Sequence, residues 1–139
     1  MKRKTAKVYT DGGTVGHNGR LGTVKEVGVG ILIQSNLFVS ERLEGKSNNE
    51  AEFKALIKAM ELCLEEGVSH AIFHLDSQIV YNRALGKKPR KRKHQNERMD
   101  AFQEEVLKLK SKFDKVEFEW VPREQNTVAD ELSKKACNE

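Results

Sequence analysis

The sequence is poor in the residues that mark secreted, membrane and fibrous proteins. Its 139 residues include two cysteines, two prolines and one tryptophan. Cys63 and Cys137 are too few for a disulfide scaffold and form no close-spaced zinc motif, so both are expected to be reduced thiols. The longest apolar stretch, residues 27–33, is far shorter than the roughly 20 residues that cross a bilayer.

The N-terminus also lacks a secretory pattern, because the basic residues 1–4 precede a polar segment instead of an apolar one. We therefore expect a cytoplasmic protein without a signal peptide that does not enter a membrane. A hydrophobic content of 37% is enough for one core, and the length leaves no room for two. A single domain over residues 1–139, acting as a monomer, is predicted.

Basic charge is concentrated in one segment. The chain has 25 basic and 21 acidic residues, and six of the basic ones lie within residues 87–93. They are Lys87, Lys88, Arg90, Lys91, Arg92 and Lys93. The segment is a candidate for contact with a polyanion, and a solvated charged loop is the alternative.

The hydrophobic pattern predicts an α/β protein with a mixed sheet. Strands are expected at residues 7–10, 27–33, 37–43, 71–75 and 116–120. Helices are expected at 47–66, where the capping box Ser47-x-x-Glu50 marks the start, at 77–85, from about 95 to 113, and after a cap at Asn126 or Thr127. Asp-Gly-Gly at 11–13 is typical of a turn, so the first strand should stop at Asp11. Gly28 and Gly30 leave one face of the second strand bare, which suits the close approach of a helix or of a ligand backbone.

Three aspartates lie at the ends of these elements, and each has an ordinary structural explanation. Asp11 could belong to a turn, Asp76 could cap the helix that follows it, and Asp130 could complete a capping box with Thr127. These alternatives stay open for each residue taken alone.

Glu52 is harder to explain by structure alone. The spacing of residues 52, 56, 59 and 63 places it at the head of an apolar helical stripe, so its carboxylate must be paired, protonated or bound to metal. A salt bridge to a lysine such as Lys7 is one alternative. Parallel strands would bring Asp11 and Asp76 towards Glu52, and crowded carboxylates favour a hard cation, Mg²⁺ or Mn²⁺.

Four motifs in order resemble type 1 ribonuclease H: YTDGG at 9–13, SNNEAE at 47–52, LDSQ at 75–78 and NTVADEL at 126–132. The resemblance covers nearly the whole chain and is greatest to compact members of the family. It implies a five-stranded mixed sheet of order 3-2-1-4-5, with the first three strands antiparallel and helices on both faces.

The resemblance further implies an endonuclease that cuts the RNA strand of RNA–DNA hybrids and leaves 5′-phosphate and 3′-hydroxyl ends. Asp11, Glu52, Asp76 and Asp130 would hold two Mg²⁺ ions, with Mn²⁺ as a substitute. Asp11 would bridge both ions, Asp130 would help to hold the ion that activates water, and Glu52 and Asp76 the ion that faces the leaving group. Two ions can serve the attacking and leaving oxygens together.

Substrate contacts are also implied by the resemblance. The Gly12 backbone, Asn48, Asn49 and Gln78 match positions that sense the RNA 2′-hydroxyl, which needs amide and backbone groups. Ser47 and the basic segment would contact phosphates, which favours binding without sequence specificity.

Residues 122–126 lack the histidine that many family members carry before the last aspartate. Arg123 could neutralise charge at the phosphate, and Glu124 could move a proton, or both could be solvated. Two other functions stay open: a catalytically silent hybrid-binding module, and the same chemistry on double-stranded RNA, which is also A-like.

Overall fold

The computed structural model describes residues 5–15, 26–33, 37–88 and 96–138. The connections at 16–25 and 34–36 and most of the basic segment therefore lie outside the described residues. The elements are β1 Thr5–Thr14, β2 Glu26–Ile33, β3 Leu37–Glu44, α1 Asn48–Glu65, β4 His70–Leu75, α2 Gln78–Ala84, α3 Asn96–Lys110, β5 Lys115–Trp120, a 3₁₀ turn Arg123–Gln125 and α4 Thr127–Asn138.

The sheet has the predicted order, β3-β2-β1-β4-β5. The first three strands are antiparallel, and β4 is parallel to both β1 and β5. α1 packs on one face with α2 and α3 beside it, and α4 packs on the opposite face. No helix among the described residues combines the length and the apolar character needed to cross a membrane.

The prediction that β1 stops at Asp11 is wrong. β1 continues to Thr14 because β2 pairs with it along its whole second half, from Val8↔Ile33 to Thr14↔Val27. The glycines after Asp11 are therefore strand residues, and the turn explanation for Asp11 is excluded.

α1 begins as the sequence predicts. The Ser47 hydroxyl accepts a hydrogen bond from the Glu50 N–H at 3.1 Å, which is the N-cap interaction expected of this motif. The stripe through Leu56, Ala59 and Cys63 is fully buried against the sheet. Burial of such a stripe contributes about 2 kcal/mol for each large apolar side chain, so α1 is fixed to the sheet by its own sequence.

Gly28 and Gly30 confirm the expected close approach of a helix. A Cβ on Gly30 would lie 2.1 Å from the Ala129 carbonyl oxygen, and one on Gly28 would lie 2.6 Å from the Ser133 carbonyl oxygen. The backbone of α4 therefore rests directly on β2, which brings the first turns of α4 to the end of β1 that carries Asp11.

Candidate active site

Asp11 and Glu52 meet because β1 and α1 approach each other at a glycine. An added Cβ on Gly12 would lie 2.3 Å from both the carbonyl carbon and the carbonyl oxygen of Ala51. Only glycine allows this distance, and the Gly12 N–H donates a hydrogen bond to the Glu52 carboxylate. Gly12 therefore places a carboxylate of α1 beside a carboxylate of β1.

Asp76 joins this pair through the sheet register. β1 and β4 are parallel with Tyr9 opposite His74, and Asp11 and Asp76 each lie two residues further on. Carboxylate oxygens of Asp11, Glu52 and Asp76 all lie within 4.8 Å of one another. The sequence prediction that these three acids converge is thus confirmed, although Asp11 reaches the site from within a strand.

Asp76 is not the cap of α2. The Ser77 hydroxyl accepts from the Val80 N–H at 3.3 Å and fills that role. Asp76 instead accepts a hydrogen bond at Oδ2 from Asn126 Nδ2 at 2.8 Å, and its carbonyl accepts from Trp120 Nε1 at 3.1 Å. The Asp76 carboxylate is therefore held by Asn126 and does not cap a helix.

Burial and mutual repulsion raise the proton affinity of the first two acids. Burial raises the pKa of Glu52 to about 10, and its hydrogen bond to Asp11 and the nearby negative charges act in the same direction. Burial also raises the pKa of Asp11 to about 6, opposed by the hydrogen bond from Glu52 and reinforced by the charge of Asp76. Without a cation, Glu52 is protonated at neutral pH. No ion pair of Glu52 with a lysine, Lys7 included, occurs among the described residues.

The pH dependence of metal-free stability follows from these pKa values. From about 4.5 to 10 the folded state holds the Glu52 proton more tightly than the unfolded state does, so the free energy of unfolding falls as pH rises. Glu52→Gln removes this contribution. In EDTA its Tm should exceed the wild-type Tm by a margin that grows from pH 5 to pH 9, as followed by thermal denaturation. A constant difference would show that Glu52 titrates normally.

Asp130 lies at the edge of the group. It shares a hydrogen bond with Asp11, and Lys134 Nζ lies 3.0 Å from its Oδ2. Burial raises the pKa of Asp130, but the hydrogen bonds with Lys134 and Asp11 outweigh it, so the net pKa is lowered. Asp130 is therefore ionised and already paired with the Lys134 ammonium group, whereas Glu52 has no such partner among the described residues.

Asp11, Glu52 and Asp130 line a cleft of about 420 Å³. Asp76 is not part of this lining, but a carboxylate oxygen of Asp76 lies within 4.8 Å of those of Asp11 and Glu52. Of the predicted substrate contacts, Gly12, Asn48 and Arg123 line the cleft. Asn48 Oδ1 accepts from the Thr14 N–H at 3.1 Å, which fixes α1 against β1.

The other predicted substrate residues lie outside the cleft lining. Ser47 and Asn49 are half-buried at the start of α1, and Gln78 is exposed at the start of α2. Lys87 and Lys88 are exposed after α2. The remaining basic residues, Arg90, Lys91, Arg92 and Lys93, lie outside the described residues.

Two site residues were missed by sequence reasoning. The Ser133 hydroxyl lies 3.2 Å from Asp11 Oδ2, and Asn126 contacts Asp76 directly. Helical spacing could have indicated Ser133, because it lies three residues after Asp130 on the sheet-facing side of α4. Asn126 could not be found in this way, since it precedes the helix and its position in the sequence indicates only a helix cap.

The donor set fits a hard divalent cation. Three carboxylates with mutually close oxygens, two of them buried, repel one another unless positive charge is supplied, and no described lysine or arginine pairs with them. Carboxylate oxygens are the ligands that Mg²⁺ and Mn²⁺ prefer, whereas zinc sites usually include histidine or cysteine. Asp11, Glu52 and Asp76 are the residues that could hold such an ion.

Comparison with known proteins identifies the family of this chain. The family described as "Reverse transcriptase-like" matches residues 33–136. The putative hydrolase EbsB of Enterococcus faecalis is 32% identical over 135 residues, which cover 94% of this chain and 92% of that protein. The bifunctional protein Rv2228c of Mycobacterium tuberculosis is 29% identical, and the matched region is 35% of its length.

Solved structures show the same fold. The N-terminal RNase H domain of Rv2228c has a TM-score of 0.78 and 26% identity, with 97% of this chain and 94% of that chain covered. LC11-RNase H1 in complex with an RNA/DNA hybrid has a TM-score of 0.71 and 24% identity over 96% of each chain.

Fold, acidic cluster and relatives together define an enzyme of the ribonuclease H type, and the resemblance to type 1 ribonuclease H is confirmed. The chain belongs to the reverse transcriptase-like family.

Proposed function

We propose that this protein is an endonuclease that hydrolyses the RNA strand of RNA–DNA hybrids with little sequence specificity and leaves 5′-phosphate and 3′-hydroxyl ends. The observation that carries the proposal is the convergence of Asp11, Glu52 and Asp76 within 4.8 Å, in a ribonuclease H fold. The hybrid as substrate is supported by the complex of LC11-RNase H1 with an RNA/DNA hybrid.

The acids are proposed to hold two Mg²⁺ ions, with Mn²⁺ as a substitute. Bound there, the ions would lower the pKa of the attacking water and neutralise charge on the departing 3′ oxygen. Asp11 is suited to a bridging role because it interacts with all three other acids. The protonated Glu52 must lose its proton when a cation binds, so cation binding by Asp11 and Glu52 should release a proton.

Asp130 is proposed to complete the site beside the attacking water. Its pairing with Lys134 keeps it ionised, and it hydrogen bonds to Asp11. Arg123 is exposed at the rim of the same cleft and is proposed to contact the phosphate next to the scissile bond. No histidine is required for this arrangement, because charge neutralisation at the phosphate is an electrostatic effect.

Recognition of the RNA strand is proposed to come from amide groups at the helix starts. Asn48 borders the acids in the cleft, with Asn49 next to it in α1 and Gln78 on α2. Amides can donate to and accept from a 2′-hydroxyl, which DNA lacks. Ser47 and the basic segment would add phosphate contacts, which set affinity without reading sequence.

The test is cleavage of four end-labelled substrates in Mg²⁺, Mn²⁺ or EDTA: RNA–DNA hybrid, double-stranded RNA, single-stranded RNA and duplex DNA. We expect metal-dependent cutting of the RNA strand of the hybrid. Binding of the hybrid without cutting in either metal would identify a silent binding module. Stronger cutting of double-stranded RNA than of the hybrid would change the assigned substrate.

The basic segment gives a separate prediction. Lys87→Ala/Lys88→Ala should weaken hybrid binding and flatten the plot of log affinity against log salt by about one unit for each phosphate that is no longer neutralised. The control is Lys108→Ala/Lys112→Ala, which removes two exposed lysines near the other end of α3. Equal slopes for the two double variants would assign the segment to the solvated loop alternative.

A further inference from the structure

Asn126, directly before α4, contacts the chain segments that carry three of the four acids. Its Nδ2 donates to Asp76 Oδ2 and to the carbonyl oxygen of Thr10, the residue before Asp11, both at 2.8 Å. The backbone carbonyl oxygen of Asn126 accepts a hydrogen bond from the Asp130 N–H at 3.0 Å. Asn126 is 1% exposed, so this junction lies in the interior beside the cleft.

The orientation of the Asn126 amide is set by its neighbours. A carboxylate oxygen and a carbonyl oxygen are both acceptors, so only the amide nitrogen can face them. Asn126 Oδ1 accepts no hydrogen bond from the described residues, and the expected cap of α4 by this side chain is therefore not formed. A capping asparagine directs its oxygen to a helix N–H. The side chain is arranged for Asp76 instead.

This contact acts on a carboxylate that the cluster would otherwise displace. Asp76 faces the negative charge of Asp11 and lies near Glu52, so repulsion favours a rotamer turned away from them. The donor from Asn126 holds the Asp76 carboxylate, while Trp120 Nε1 holds the Asp76 carbonyl. Side chain and backbone of Asp76 are thus fixed by separate groups.

We propose that Asn126 is a positioning residue that holds Asp76 in the orientation needed to bind a divalent cation, and that ties it to the Asp11 strand. The inference rests on the proposed cation site but is separate from the identity of the substrate. Loss of a group that hydrogen bonds to a ligating carboxylate typically weakens metal affinity by about 10- to 100-fold. Asn126 itself contacts neither cation nor substrate in this proposal.

The experiment is a Mn²⁺ titration of the nucleic-acid-free protein, with free Mn²⁺ measured by electron paramagnetic resonance. Asn126→Ala removes both donors, and Asn126→Leu removes them while keeping a side chain that branches at Cγ. The matched control is Gln103→Ala. Gln103 is also a 1% exposed amide that donates to two carbonyls, those of Arg83 and Lys87, away from the acids.

We expect both Asn126 variants to bind Mn²⁺ about 10- to 100-fold more weakly per folded molecule, and Gln103→Ala to bind as the wild type does. Cleavage should need a correspondingly higher Mn²⁺ concentration for half-maximal rate, with kcat at saturation largely recovered. Unchanged affinity in the Asn126 variants, or an equal loss in Gln103→Ala, would overturn the inference. Absence of Mn²⁺ binding by the wild type would instead overturn the proposed function.

Discussion

Asp11→Asn should reduce metal-dependent cleavage of the hybrid by about 10³-fold or more. Asp11 interacts with Glu52, Asp76 and Asp130, so its loss should affect every cation position that the cluster can offer. Charge stabilisation by bound metal contributes several kcal/mol to such a reaction, and each 1.36 kcal/mol is a factor of ten in rate. Initial rates on labelled hybrid at saturating Mg²⁺ measure the effect.

The folded state should survive this substitution. One buried negative charge is removed from a repelling group, so the Tm of Asp11→Asn in EDTA should equal or exceed that of the wild type. Asp114→Asn makes the same chemical change at an exposed residue between α3 and β5 and should leave the rate unaltered. Activity of Asp11→Asn within tenfold of the wild type would show that the cluster is not the catalytic centre.

Gly12→Ala should have the second large effect, on structure and activity together. The new Cβ would overlap the Ala51 carbonyl group, which is helix backbone and cannot rotate away. α1 would have to move from β1, and overpacking of this kind costs on the order of 3 kcal/mol. A displacement near 1 Å would separate Glu52 from Asp11 and lower the cleavage rate by about 100-fold.

Gly13→Ala provides the matched control, because an added Cβ on Gly13 meets nothing within 4 Å. The two variants make the same change at adjacent positions of one strand. Chemical denaturation and the hybrid assay should show a large loss for Gly12→Ala and a near-normal Gly13→Ala. Similar losses in both would mean that the close contact between β1 and α1 is not what places Glu52.

Local sequence predicted the parts of this protein that depend on local physics. The Ser47 cap, the buried stripe ending at Cys63 and the bare face of Gly28 and Gly30 follow from capping, helical periodicity and side-chain volume, and the structure confirms each. The strand order was implied by the family resemblance and not by periodicity, since pairing partners are distant in sequence.

The site details depend on tertiary contacts that no local pattern contains. Asp-Gly-Gly resembles a turn, but pairing with β2 extends the strand through it. Asn126 resembles a cap, but its amide is taken by two acceptors from β1 and the end of β4. The pairing of Asp130 with Lys134, in contrast, was available from their i, i+4 spacing on a helix.

The acidic cluster is proposed to drive metal-dependent hydrolysis of RNA in a hybrid. The most direct measurement is mass spectrometry of the products after reaction in H₂¹⁸O with Mg²⁺, alongside Asp11→Asn and an EDTA control. We expect 3′-hydroxyl ends and 5′-phosphates that carry ¹⁸O, formed only by the wild type with metal. Products ending in 2′,3′-cyclic phosphate, or formed equally in EDTA, would contradict it.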